Sequence, residues 1–175
     1  MRVKKRKSAN DDTVGHVPAA SYNVVEEPLA AYGSSEGPFK MLNVVKDSEA
    51  YPNQKALYLS VIRGGLPRQS LDFLLEKTGL SLLEMAHILD TTDRTLRRHE
   101  GHVLLSREHS ERLLEIAQLY SFGEQVFGSL DVFRQWMSAQ IPALGGQQPK
   151  SFLDTSLGIN IIMAEVGRIE HGVFA

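Results

Sequence analysis

Between Pro67 and Ile169 a serine or threonine stands again and again just ahead of a short segment with apolar residues at helical spacing: Ser70, Ser81, Thr92, Ser106, Ser129 and Thr155. A hydroxyl at such a place accepts a hydrogen bond from the otherwise unpaired amides of a helix start. A chain punctuated in this way builds closely spaced helices joined by turns. Ser70 precedes Leu71, Leu74 and Leu75, with Gly79 placed for a left-handed C-terminal residue. Ser81 is followed at the third position by Glu84, the pattern of a capping box, and its apolar positions are Leu82, Met85, Ala86 and Leu89. Thr92 opens a shorter helix through Arg98, and Ser106 a longer one with Leu113, Ile116, Ala117 and Tyr120 on one face. Gly123 weakens the far end of that helix by about 1 kcal/mol relative to alanine, so a bend or break is expected there. Ser129 opens a helix carrying Phe133, Trp136 and Met137, which Pro142 ends. A short turn of helix is expected at Lys150 to Asp154. Thr155 then begins a last helix with Ile159, Ile162, Met163, Val166 and Ile169 inward and Gly172 just past its end. No segment alternates with a period of two, so the expected fold is all-α.

Upstream, order is expected from about Asn53, where Leu57, Tyr58, Val61 and Ile62 form a face that Gly64 and Gly65 terminate. Residues 8–50 show no sustained period and read as a flexible arm with a small ordered piece near Phe39 to Val45. Three regions result: an arm over 1–52, a helix-turn-helix domain over 53–122 and a second helical domain over 123–175. Leu113, Ile116, Tyr120, Phe133, Trp136 and Met137 lie on facing surfaces and are expected to be largely buried. The absence of cysteine excludes disulfides and thiolate metal sites and is consistent with a reducing cytoplasm. No run approaches the ~18 apolar residues of a membrane span, and no apolar stretch follows the basic "MRVKKRK" start as a secretory signal would require.

The stretch "SLLEMAHILDTTDRTLRRHEG" has the outline of a helix-turn-helix over 81–99. Such a motif needs a small residue where the second helix crosses the first, and Ala86 supplies it. Met85, Leu89 and Leu96 supply the inward apolar positions. Asp90 stands where glycine is common, and aspartate tolerates left-handed backbone better than most residues. The second helix then presents Thr92, Asp93, Arg94, Thr95, Arg97 and Arg98 as candidate DNA contacts, the helix start suiting a phosphate and the arginine fork a guanine edge. Surface arginines on a solvated helix are the plainer reading of the same residues. Net charge is −2, and residues 61–112 carry eight basic against eight acidic side chains, so one module should bind DNA weakly and a dimer on two half-sites is expected. The basic N-terminus is either a phosphate-reaching arm or a solubilising tail.

Other chemistry finds little support. His99, His102 and His109 are close in sequence, but no carboxylate completes a ligand spacing, and a metal is not expected. There is no positioned nucleophile and no phosphate-cradling glycine loop, so neither catalysis nor a cofactor is expected.

"GGLP", "RTLRRHEG", "LSREHSERLLEIAQLY", "WM", "PALGGQQPKSFLDTSLG" and "RIEHGVFA" follow one another in this order. Over residues 54–175 the chain resembles the Xre/MbcA/ParS antitoxins, specifically the Xre partner of RES–Xre type II toxin–antitoxin systems. Its most specific marks are Leu-Gly-Gly-x-x-Pro, Asp-Thr-x-x-Gly and Arg-Ile-Glu-x-Gly. The resemblance implies a protein that neutralises a RES-domain, NAD+-degrading toxin and binds operator DNA to repress its own operon. It also implies that the C-terminal domain covers the toxin's NAD+ cleft, a role falling here to Arg168, Glu170, His171, Gly172, Val173, Phe174 and Ala175. The turn residues Leu144, Gly145, Gly146 and Pro149, with Asp154, Thr155 and Gly158, more plausibly shape the domain. From the residues alone, Arg168 suits the negative end of the last helix and Glu170 does not, which makes Glu170 a candidate for pairing with a partner's cation. Val173-Phe174-Ala175 could instead pack back on its own domain. The alternative for the whole chain is a stand-alone helix-turn-helix regulator whose C-terminal domain dimerises or senses a ligand.

Overall fold

A long helix whose buried positions extend beyond a single face has to be covered by several neighbours, and one element here meets that condition. The computed structural model describes residues 37–44, 54–98 and 100–172. In chain order the helices are α1 (Pro38–Met41), α2 (Gln54–Gly64), α3 (Gln69–Thr78), α4 (Leu82–Ile88), α5 (Asp93–Arg98), α6 (Arg107–Phe127), α7 (Leu130–Ser138) and α8 (Ser156–Glu170). Short 3₁₀ turns at Pro142–Leu144 and Pro149–Phe152 lie between α7 and α8. Among the described residues there is no strand, only isolated bridges at Pro67–Leu104 and Ile141–Gln147. The fold is all-α. Helix α6 is the axis: α1, α2, α3, α7 and α8 all pack against it. The spacing of Leu113, Ile116, Ala117 and Tyr120 defines one buried face, and Leu114 and Leu119 are equally buried on others.

Five of the expected caps form. Ser81 accepts from the Glu84 amide at 3.2 Å while the Glu84 carboxylate accepts from the Ser81 amide at 2.8 Å, completing the capping box. Thr92, Ser106, Ser129 and Thr155 accept from the amides of Thr95, His109, Val132 and Gly158. Ser70 does not cap. Helix α3 starts two residues earlier than a Ser70 cap would place it, at Gln69, and the first amides are met by backbone: Arg68 donates to the Val103 carbonyl and Gln69 to that of Gly101, at 2.8 and 2.9 Å. With those amides satisfied by the 101–103 loop, Ser70 lies buried inside the first turn.

Helix α6 does not break at Gly123; it runs on to Phe127, so the boundary expected between residues 122 and 123 falls inside it. The glycine serves a close approach. A Cβ at Gly123 would lie 2.5 Å from three ring atoms of Phe133, which means the ring rests directly on the α6 backbone. Phe133 is fully buried, meets Tyr120 edge-on at 5.1 Å between centroids and stacks with Trp136 at 5.8 Å. Tyr120 and Met137 are buried with it, whereas Trp136 covers the outside of the cluster and is only partly buried. Upstream, the piece expected near Phe39 to Val45 is present as α1 and the turn after it, as far as Val44; Met41, Leu42 and Val44 enter the core, Phe39 meets Tyr58 of α2 at 5.2 Å, and Val45 is outside the described residues. Between α7 and α8, Gly145 and Gly146 both take positive φ, 67° and 77°, to reverse the chain.

Gly123→Ala separates propensity from packing. Alanine gains about 1 kcal/mol of helix propensity, but the methyl group overlaps a buried ring and overpacking costs about 1–3 kcal/mol. We expect a lower Tm than wild type, and a smaller loss when Phe133→Leu is already present, measured as a double-mutant thermal cycle.

Candidate functional site

Helices α4 and α5 and the turn between them form the first candidate surface. Ala86 is buried where the two helices meet, and Met85, Leu89 and Leu96 close the apolar contact beneath. The turn ends α4 with paired hydrogen bonds from Asp90 to the His87 carbonyl and from Thr91 to that of Ala86, at 3.1 and 2.9 Å. This is a Schellman ending, with Asp90 at φ 48° in the left-handed position usually given to glycine. Thr92 then caps α5, and its hydroxyl lies 2.8 Å from that of Thr95. Arg94, Arg97 and Arg98 are exposed, and Arg97 is loosely paired with Asp93 at 3.5 Å. The six residues expected to meet DNA therefore share one short, solvent-facing element.

Two polar contacts hold that element from behind. Arg68, only 6% exposed, donates through Nε to the Leu96 carbonyl at 2.8 Å and pairs with Asp72 at 2.7 Å. Leu96 lies in the last turn of α5, where carbonyls lack partners within the helix and a cation is favoured. The His109 ring on α6 meets the Leu89 carbonyl at 3.1 Å, fixing the turn. Neither role shows in the local sequence, because the partners lie 28 and 20 residues away. His102 lies next to Glu100 at 3.4 Å, apart from that contact, and His99 is outside the described residues.

The second candidate surface is the end of α8. Arg168 is half exposed and pairs with the largely buried Glu165, while Glu170, His171 and Gly172 are exposed. Val173, Phe174 and Ala175 lie outside the described residues. The start of α8 is set by a close approach, since a Cβ at Gly158 would lie 2.1 Å from the Phe152 carbonyl oxygen. Of the turn residues singled out in the sequence, Leu144, Pro149 and Gly158 are buried, while Gly145, Gly146, Asp154 and Thr155 are exposed; Leu153 is buried beside them.

Charged contacts join the two surfaces into one body. Arg134 of α7 donates to the Glu76 and Lys77 carbonyls, capping the C-terminal end of α3. Arg112 and Glu115 of α6 meet Ser156 at the head of α8. Lys150 reaches Glu84 of α4 at 2.8 Å. The Lys150 hydrogen bond first, and then the Ser81 amide, lower the Glu84 pKa from 4.5 to about 2. A cleft of about 230 Å³ opens beside this ion pair, between Leu80, His87 and Ile88 of the first module and Lys150 and Asp154 of the second. It is smaller than the ~300–1,000 Å³ common for ligand sites and gives little support to small-molecule sensing.

Comparison with known proteins matches residues 58–118 to the antitoxin Xre-like helix-turn-helix domain and residues 123–172 to the antitoxin Xre/MbcA/ParS C-terminal toxin-binding domain. The chain belongs to the Xre/MbcA/ParS antitoxin family. An Antitoxin Xre of Photorhabdus laumondii is 28% identical over 126 residues, covering 70% of this chain and 85% of the relative. One of Yersinia enterocolitica is 35% identical over 81 residues, 45% of this chain and 53% of its own length. A Sphingobium protein named Prs ADP-ribosylating antitoxin is 28% identical over 138 residues, 69% and 87% of the two chains. Placed on the antitoxin fold, the first match runs from α2 into α6. The second takes in the last turns of α6, α7, both 3₁₀ turns and α8.

Two outcomes test these contacts. A carboxylate whose pKa is depressed on folding stabilises above its unfolded pKa and loses that contribution as pH falls through the folded value. Wild type should therefore lose stability between about pH 4.5 and about pH 2 partly through Glu84, and Glu84→Gln should flatten that limb in urea unfolding series. Arg68→Met leaves the Leu96 carbonyl without its donor, at a cost of about 1–3 kcal/mol. Amide exchange should quicken in α5 before it does in α6.

Proposed function

We propose that this chain is the antitoxin of a RES-domain, NAD+-degrading toxin and that it also binds its own operator. The carrying observation is the union of a helix-turn-helix and a toxin-binding domain on one shared helix, α6. In this reading residues 53–122 bind DNA and residues 123–175 bind toxin, in the cytoplasm. Arg94, Arg97 and Arg98 approach the groove and its phosphates, Thr92 and Thr95 border them, and Asp93 orients Arg97. A net charge of −2 supplies little general attraction to DNA, so two copies on paired half-sites bind together. Arg168, Glu170, His171 and Gly172, continued by Val173, Phe174 and Ala175, enter the toxin's NAD+ cleft and exclude the dinucleotide. Helix α8 runs to Glu170 and so fixes the point from which these residues are presented, which limits the ordering cost of binding.

The name of the Sphingobium relative couples an antitoxin with ADP-ribosylation, and it favours a second reading in which the toxin uses NAD+ to modify a target. Both readings place the tail at an NAD+ site.

The experiment is co-expression with the neighbouring gene, co-purification, and titration of antitoxin against the toxin's NAD+ consumption and ADP-ribose transfer. Deleting residues 171–175 should relieve inhibition and leave operator binding and helix content intact; complete inhibition by the shortened protein would refute the tail's role. Arg94→Ala and Arg97→Ala should each cost ~1–3 kcal/mol of operator binding where they read a base, without loss of toxin neutralisation. A gel-shift titration of the double variant that matches wild type would remove α5 from the interface.

A further inference from the structure

A domain that binds another protein needs exposed apolar surface, because association energy concentrates in a few desolvated anchors. Most large apolar side chains in the stretch matched to the toxin-binding domain are buried or partly buried. Those that stand well exposed are Val132, Leu157 and Ile161, at 48%, 73% and 40%. Leu157 and Ile161 are one turn apart on α8. Ala164, Arg168 and His171 continue the same line at steps of three and four residues, and all are exposed. The opposite face of α8 carries Ile159, Ile162 and Val166 into the core against α6. Helix α8 is therefore apolar on two sides, and packing among the described residues uses one of them.

A single exposed leucine is ordinary. A leucine, an isoleucine and an alanine aligned at i, i+4 and i+7 are the anchor pattern of a helix laid in a groove, and the small Ala164 allows close approach. From Leu157 to Arg168 the line extends about 16 Å along the axis.

We infer that the outward face of α8, Leu157, Ile161 and Ala164, is the main anchor of the toxin, seated in an apolar groove that runs into its NAD+ cleft. The inference rests on the proposed antitoxin function and deepens it. Continuity selects this occupant over a second copy of the chain. The stripe runs without interruption into Arg168, His171 and Gly172, which that function assigns to the cleft. A second copy sealed along α8 would cover Arg168 and His171 and close off the end that neutralises.

Because both anchors already face water, Leu157→Asp with Ile161→Asp should fold as wild type, and the milder Leu157→Ser with Ile161→Ser guards against charge artefacts. The full-length variants are titrated against the purified cognate toxin beside wild type, with sedimentation and operator binding measured in parallel. The expected result is roughly a 100-fold loss of toxin affinity for the aspartate pair, a smaller loss for the serine pair, and unchanged sedimentation and operator binding. Wild-type affinity in both pairs overturns the inference while leaving the antitoxin function standing. Toxin binding retained with a change in self-association overturns it in favour of a contact between copies. If wild type itself neither binds nor inhibits the toxin, the function fails and the inference with it.

Discussion

The Phe133 ring lies on the bare backbone of α6 at Gly123, and the arrangement of both modules depends on that contact. With no side chain between them, α7 comes close enough to bury the ring among Tyr120, Phe127 and Trp136. Tyr120 is so enclosed that burial raises its phenol pKa, keeping it neutral. Once α7 lies in this position, Arg134 reaches the end of α3, where the last carbonyls have no partners within their own helix. Lys150 then reaches Glu84, and α8 closes over α6.

The same logic fixes the arginine-bearing helix. α5 has six residues, too few to be stable alone. Its geometry is borrowed from Leu96 in the core, from Arg68 against its last turn and from His109 against the turn before it. Arg68 leads into α3 and His109 is on α6, so the element that faces solvent is held by two that do not move independently of the core. A buried arginine is costly unless its donors are used, and here Nε and one terminal nitrogen have partners.

The helices and most of their starts were legible because caps and apolar spacing are local signals. Ser81 with Glu84, and Thr155 with Gly158, carry them within a few residues. Ser70 carries the same local signal and misleads, because a loop some thirty residues on, about Gly101 to Val103, satisfies the α3 amides instead. Gly123 misleads for a related reason: its helix penalty is local, while the ring that requires it arrives ten residues later from α7. Arg68, His109 and Arg134 had no signal at all, since each acts on a carbonyl far along the chain. Leu157 and Ile161 fell outside the inward face that the spacing of α8 defined, but spacing alone does not say that no neighbouring element covers them, which their exposure does. The six candidate DNA contacts were legible as neighbours because they fall within seven consecutive positions, on α5 and its N-cap, around the inward Leu96.

A continuous α6 leaves no hinge between the matched stretches 58–118 and 123–172. On a duplex read in the proposed way, a partner held at the end of α8 projects from the DNA at one fixed angle. Neighbouring occupied sites then present their cargo according to helical phase. Copies one full turn apart, about 10.5 base pairs, point their partners the same way, and copies half a turn further apart point them to opposite sides. The number of base pairs between sites, rather than any flexibility in the protein, decides whether adjacent partners touch, clash or never meet.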